Sequence, residues 1–287
     1  MRVLTHTACL LTLFVFGFSG CESASQRNDF DDAGAAGGVG SEIAYNTNVN
    51  CPATADSHPA ARPDEEGVIY GADDINRQYL NIYKATGDGP KPVFLYAHQN
   101  GADACFVTEK QKAVVTGAGY TIVSWESHLT LSDQQTVEDA WADINLVVEY
   151  LRANATAFNV DMNHIIVAGR SRGSAASWKF AHSLDPTIKG LYMTQALPDQ
   201  VWADLTIWDP RDDVSVNSPP VHFAYNPSEV DIPDDEDAHD PQRGYDIIDV
   251  YETLGIGDRT SIKLGVPKID LYNHFPTFLA SIETSSP

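Results

Sequence analysis

The chain has 287 residues, with 40 acidic against 18 basic side chains and a formal net charge of −22. That balance argues against nucleic acid or an anionic membrane surface as a partner, because both would be repelled. A folded part of about 240 residues is the size of one α/β domain around a single core.

Residues 1–20 read as an export signal. Arg2 is followed by an apolar run over residues 8–18, too short for a comfortable membrane span, and by the small residues Ser19 and Gly20 before Cys21. The stretch Phe18-Ser19-Gly20-Cys21 resembles a bacterial lipobox, which implies lipidation of Cys21 and an exported, lipid-anchored protein at the outer membrane. Residues 21–45 are poor in apolar side chains and rich in Ser, Asp, Gly and Ala, the composition of a disordered tether. The folded domain is expected over residues 46–287. With Cys9 in the leader and Cys21 at the anchor, Cys51 and Cys105 remain, and an oxidising compartment predicts a disulfide between them.

Beyond the tether, apolar runs of strand length alternate with helical patterns. Candidate strands cover residues 79–83, 92–97, 120–125, 165–168, 191–194, 221–225 and 262–266. The run Pro92-Val93-Phe94-Leu95-Tyr96-Ala97 has the unbroken apolarity of a strand buried on both faces. Val137, Trp141, Ile144, Val148 and Leu151 recur at three- and four-residue steps and predict a helix, and Ile247, Val250 and Leu254 before Gly255 predict another. Such alternation predicts an α/β fold, a mostly parallel central sheet with helices on both faces.

Gly169-Arg170-Ser171-Arg172-Gly173 follows one of these strands and precedes a helical stretch over residues 174–180. A tight strand-to-helix turn of this kind presents a serine hydroxyl above the sheet edge, and the glycines avoid side-chain clashes with neighbouring backbone. The helix N-terminus beneath favours developing negative charge. There is no zinc-ligand spacing, phosphate loop or dinucleotide fingerprint, so no metal or organic cofactor is expected.

In these residues the chain resembles the α/β-hydrolase superfamily, in particular its small carboxylesterases and secreted acyl-esterases. The resemblance spans about residues 67–278 and implies an α/β-hydrolase fold, in which residues 198–217, between two candidate strands, are too few for a large lid domain. It implies Ser171 as nucleophile and a backbone oxyanion hole from Gln99 or Asn100 together with Arg172. Where family members often carry His-Gly-Gly-Gly, this chain has His98-Gln99-Asn100-Gly101. The implied chain order is serine, acid, histidine. Of the four histidines after Ser171, His182 lies in the elbow helix, His222 inside a strand and His239 in an acidic loop, which leaves His274, beyond the last strand, as the expected base. For the acid, Glu229 ranks first, then Asp231 and Asp237. Residues 229–240 hold seven carboxylates in twelve positions, a composition that suits a solvated loop as well as a hard cation, without regular ligand spacing.

The mechanism implied is acyl transfer through a covalent intermediate. Trp125, His128, Trp202 and Trp208 are the candidates for an acyl or aryl pocket, with ordinary loop packing as the alternative for Trp202 and Trp208. The leading expectation is a monomeric serine carboxylic-ester hydrolase acting on small-molecule or polymer-linked esters, with membrane contact only through Cys21. A peptidase or polyester hydrolase on the same fold is the enzymatic alternative, and a catalytically silent binding lipoprotein the alternative of another class.

Overall fold

The computed structural model describes residues 43–51, 59–74, 76–127, 134–196, 208–230 and 239–284. The leader, Cys21 and the tether up to residue 42 lie outside the described residues, as do His128, Trp202, Asp231 and Asp237.

In chain order the strands are β1 (Glu65–Ile69), β2 (Tyr79–Tyr83), β3 (Lys91–Ala97), β4 (Thr121–Trp125), β5 (Val160–Arg170), β6 (Ile188–Thr194), β7 (Val221–Ala224) and β8 (Thr260–Lys263). The α-helices are α1 (Glu109–Gly117), α2 (Gln134–Ala153), α3 (Ala155–Phe158), α4 (Arg172–Ala181), α5 (Gln242–Thr253) and α6 (Phe275–Thr284). The strands form one sheet in the order β1-β2-β4-β3-β5-β6-β7-β8. β1 pairs antiparallel with β2 and β2 with β4, and every other pairing is parallel. The chain therefore builds outward from β3 in both directions, with β4 on one side and β5 on the other. The carboxyl ends of β3 and β5 flank the point where strand order reverses, which is where open α/β sheets form their crevice.

Parity along each strand sorts its side chains between two cores. Val93, Leu95, Val123, Trp125, Ile165, Val167, Leu191, Met193, Val221 and Phe223 face the side covered by α2, α4 and α5. Phe94, Tyr96, Ile122, Ile166, Ala168, Tyr192 and Ala224 face α1 and α6. Helix α2 buries Ile144, Val148 and Leu151 of the predicted stripe together with Ala140 and Val147, and Trp141 is partly buried. Helix α1 starts at Thr108, whose side chain accepts from the N–H of Gln111, with Glu109 in the first turn.

The mostly parallel, helix-covered sheet expected from the sequence is present. Several elements differ in detail. The first strand, Glu-Glu-Gly-Val-Ile, has too few apolar positions to stand out, β8 lies two to three residues before its expected span, and α6 follows with Pro276 in its first turn, where a missing N–H costs nothing. Cys51 and Cys105 form the expected disulfide, which ties the segment before β1 to the loop after β3. No helix among the described residues is long and apolar enough to cross a membrane.

Candidate active site

Ser171 occupies the single-residue turn between β5 and α4. Its backbone has φ +51° and ψ −122°, a conformation that a side-chain-bearing residue holds only when its surroundings over-determine it. Those surroundings are specific. Ser171 N–H donates to Thr194 O at the end of β6 (2.9 Å), and Ser171 O accepts from both the N–H and the hydroxyl of Ser174 (2.9 and 2.5 Å). The two flanking glycines permit the crossing. A Cβ at Gly169 would lie 2.5 Å from Gly173 O, and one at Gly173 would lie 2.1 Å from Ala97 O, so the first turn of α4 rests directly on the end of β3.

The partner of the serine is His239. Ser171 Oγ and His239 Nε2 are 3.0 Å apart, so with the imidazole neutral and protonated on Nδ1 the hydroxyl donates to Nε2. His239 lies just before α5, next to Asp240. The Asp240 carboxylate is buried and accepts from the N–H of Gln242, the first residue of that helix.

The expectation of His274 as the partner is corrected by this geometry. His274 directly precedes α6, and its ring lies 6.1 Å from that of His222 on the α1/α6 side of the sheet. His222 is in register with Tyr192 and, through it, Ala168. Ala168 is three residues short of Ser171, a strand rise of about 10 Å. The loop leading to His274 is tied down at several points. Asn226 Nδ2 donates to Val266 O (3.1 Å), Tyr192 Oη donates to Leu271 O (2.8 Å), and Lys110 pairs with Asp270. Phe275 then seats edge-on against Phe94 and Tyr120. Glu229, the first-ranked acid, is exposed on a bend after β7 and bonds neither histidine. Asp231 and Asp237 fall in the undescribed stretch that leads to His239.

The oxyanion candidates are brought together. Ala97 is in register with Gly169, so Gln99 and Asn100 follow β3 beside the elbow, and Arg172 Nη1 donates to Asn100 Oδ1 (2.7 Å). Arg172 is itself buried, which pushes its guanidinium down to about 10 against the opposing pull of Glu126. Beneath this loop His98 Nε2 lies 3.1 Å from Glu126 Oε2, with both side chains buried.

The pocket candidates divide. Trp125 is fully buried in the α2/α4 core and lines no open pocket, because β4 is covered on both faces and its parity turns Trp125 inward with Val123. Trp208 is partly exposed, lies edge-on to Trp141 at 5.1 Å and donates its indole N–H to Asp213 (2.9 Å), which is loop packing against α2. The sequence set His239 aside as a residue of an acidic loop and carried no signal for Glu126 or Gln195. Gln195 has φ +48°, and its side-chain oxygen accepts from Asn226 N–H, linking the ends of β6 and β7 at the same sheet edge.

Strand order, elbow and flanking helices make this chain an α/β-hydrolase-fold protein. Within that class, residues 95–187, from β3 through the elbow and α4, match the family model BD-FAE, an α/β-hydrolase-type esterase domain. Three solved structures are similar in fold. A truncated carbohydrate esterase from gut microbiota superposes with TM-score 0.60 at 12% identity, over 80% of this chain and 99% of that one. The esterase LipW from Mycobacterium marinum gives 0.52 at 16% identity over 72% and 77% of the two chains. A lipase/esterase from Lactobacillus plantarum gives 0.52 at 13% identity over 72% and 92%. No curated protein matches the sequence.

Proposed function

We propose that the protein is a serine hydrolase that cleaves carboxylic esters through an acyl-enzyme intermediate. The observation that carries the reading is the Ser171 hydroxyl held at a strained elbow 3.0 Å from His239 Nε2. His239 takes the hydroxyl proton as Ser171 Oγ attacks the ester carbonyl, then returns it to the departing alcohol. The same histidine activates water for the second half-reaction, which releases the acyl group and restores the serine. The N–H of Gln99 or Asn100 and that of Arg172 are assigned to the oxyanion. The N–H of Ser171 is not available for that role, since it already donates to Thr194. The acid that holds the His239 tautomer is assigned to Asp231 or Asp237, both on the stretch that leads into that histidine. Substrates are proposed to be small-molecule or polymer-linked esters. The carbohydrate esterase among the similar folds makes acylated carbohydrate the first class to screen.

Export and lipidation at Cys21 remain part of the proposal. The Cys51–Cys105 disulfide supports an oxidising compartment, and metabolic labelling with a fatty-acid analogue that survives Cys21→Ala rejects the anchor. For the chemistry, a fluorophosphonate probe should label the full chain and fail on Ser171→Ala, and the unlabelled protein should turn over acetyl or aryl esters. A well-folded protein that neither labels nor hydrolyses any ester in an acetyl, longer-acyl and feruloyl panel overturns the enzyme in favour of a silent binding protein.

A further inference from the structure

We infer that Glu126 is a positioning residue that sets the oxyanion loop of this site, acting through His98 and the backbone of residues 104 and 127. The inference rests on the reading of Ser171 as an acyl-transfer nucleophile and adds a role for a buried carboxylate that this reading leaves unused.

Glu126 follows β4, the parallel neighbour of β3, so its side chain emerges beside the loop that carries Gln99 and Asn100. It is 5% exposed, which for an ionisable side chain demands compensating partners. Its carboxylate has them from three directions. Oε2 accepts from Ala104 N–H (3.2 Å) and lies 3.1 Å from His98 Nε2, a close contact without hydrogen-bond alignment, while Oε1 accepts from Ser127 N–H (3.3 Å). The Arg172 guanidinium adds a favourable charge from the elbow side. The backbone of Glu126 is fixed as well, its N–H donating to Tyr79 O and its carbonyl accepting from Tyr70 Oη.

His98 completes the connection. Its Nδ1 lies 2.9 Å from Gln99 O, so an Nδ1–H donates to the peptide that joins Gln99 to Asn100. That peptide carries the Asn100 N–H, one of the two proposed oxyanion donors. The orientation of the donor is thus coupled to a ring whose far edge packs against Glu126, and with Nδ1–H on Gln99 O that contact is attractive when Nε2 carries a proton as well. Asn100 is held a second time, by Arg172 Nη1 at 2.7 Å. Carboxylate, imidazole and guanidinium together fix the relation between the β3 loop and the α4 N-terminus. A donor aimed at a developing anion has to be fixed in this way, because reorganising it during the reaction would forfeit most of its value.

The test uses the full chain and an acetyl aryl ester. In Glu126→Gln the charge and one acceptor are lost at constant size, and kcat is expected to fall about 10- to 100-fold with KM within about threefold. Affinity for a boronate, whose tetrahedral serine adduct places an oxygen anion in the hole, should fall in parallel with kcat/KM. A merely structural role would instead lower the amount of active protein, leaving kcat per labelled serine and boronate affinity unchanged. Should Glu126→Gln not fold, Asn100→Ala, at an exposed position, loosens the same loop. It is expected to lower kcat and boronate affinity together by about three- to tenfold. Unchanged kcat per labelled site in either folded variant overturns the inference. A wild-type protein without esterase activity or serine labelling overturns the underlying reading instead, and the two failures are separable before any variant is made.

Discussion

Exchanging the two rival histidines tests the site most directly. In His239→Ala the Ser171 hydroxyl loses the only base within hydrogen-bond reach among the described residues, at 3.0 Å. Positioned general bases contribute about 10²- to 10⁴-fold, or about 3 to 5 kcal/mol of barrier at 1.36 kcal/mol per tenfold. In His274→Ala no bond to the serine is lost, since that ring packs on His222 with its centroid 6.1 Å away. Its expected effect is a stability loss of about 1 kcal/mol with kcat/KM within about threefold of wild type. Initial rates on an acetyl aryl ester, normalised to the folded fraction from a thermal melt, separate the two. The reasoning is refuted if His274→Ala abolishes turnover while His239→Ala keeps more than about a tenth of it.

Further outcomes follow from the same contacts. Gly173→Ala would place a Cβ 2.1 Å from Ala97 O, and urea denaturation should show a loss of about 3 kcal/mol or failure to fold. A loss below about 1 kcal/mol would mean that the elbow does not rest on β3 as described. Replacing both Cys51 and Cys105 by Ser opens a loop of sequence separation 54 and should cost about 4 kcal/mol by chain entropy; an unchanged melting temperature under reducing and oxidising conditions contradicts this. Burial holds the His182 imidazole down at about 4. It holds that of His222 down at about 3, helped by His274 and Lys263. Both are depressed in the folded state, so the unfolded chain binds more protons. Stability should therefore fall as pH drops from about 6.5 towards 4, by about 1.4 kcal/mol per pH unit for each histidine. The slope should flatten in His222→Gln, and an identical slope in that variant rejects the assignment.

Much of the sheet was legible in the sequence because its central strands are buried on both faces. The runs at 79–83, 92–97 and 120–125 need no partner information to read as strands, and the Gly-x-Ser-x-Gly turn announces itself through two glycines that only a backbone crossing requires. The same double burial hid which face each residue takes. In β4 no polar alternation marks the faces, so Trp125 read as a pocket wall although its parity with Val123 sends it into the α2/α4 core. Glu126 was equally hidden. A carboxylate at a strand end is ordinary in sequence, and its role depends on His98 and Ala104, which only the parallel pairing of β3 and β4 brings alongside.

The choice of histidine was beyond the sequence for a related reason. Chain order does not discriminate, because His239 also follows Ser171 and is also preceded by Asp231 and Asp237. What decides it is the depth at which α6 docks. Tyr192 packs with Tyr272 and Phe275, and Phe278 reaches over Gly190, where a Cβ would come within 2.8 Å of the Phe278 ring. These contacts fix α6 below the carboxyl edge of the sheet and draw His274 down with it, while α5 starts close enough to the edge to offer His239. Aromatic packing on the face of the sheet opposite α4 therefore holds His274 away from the serine, and His239, entering with α5, meets the hydroxyl. A substitution that lets α6 rise, such as Phe278→Ala, would be the packing change able to bring His274 towards the serine.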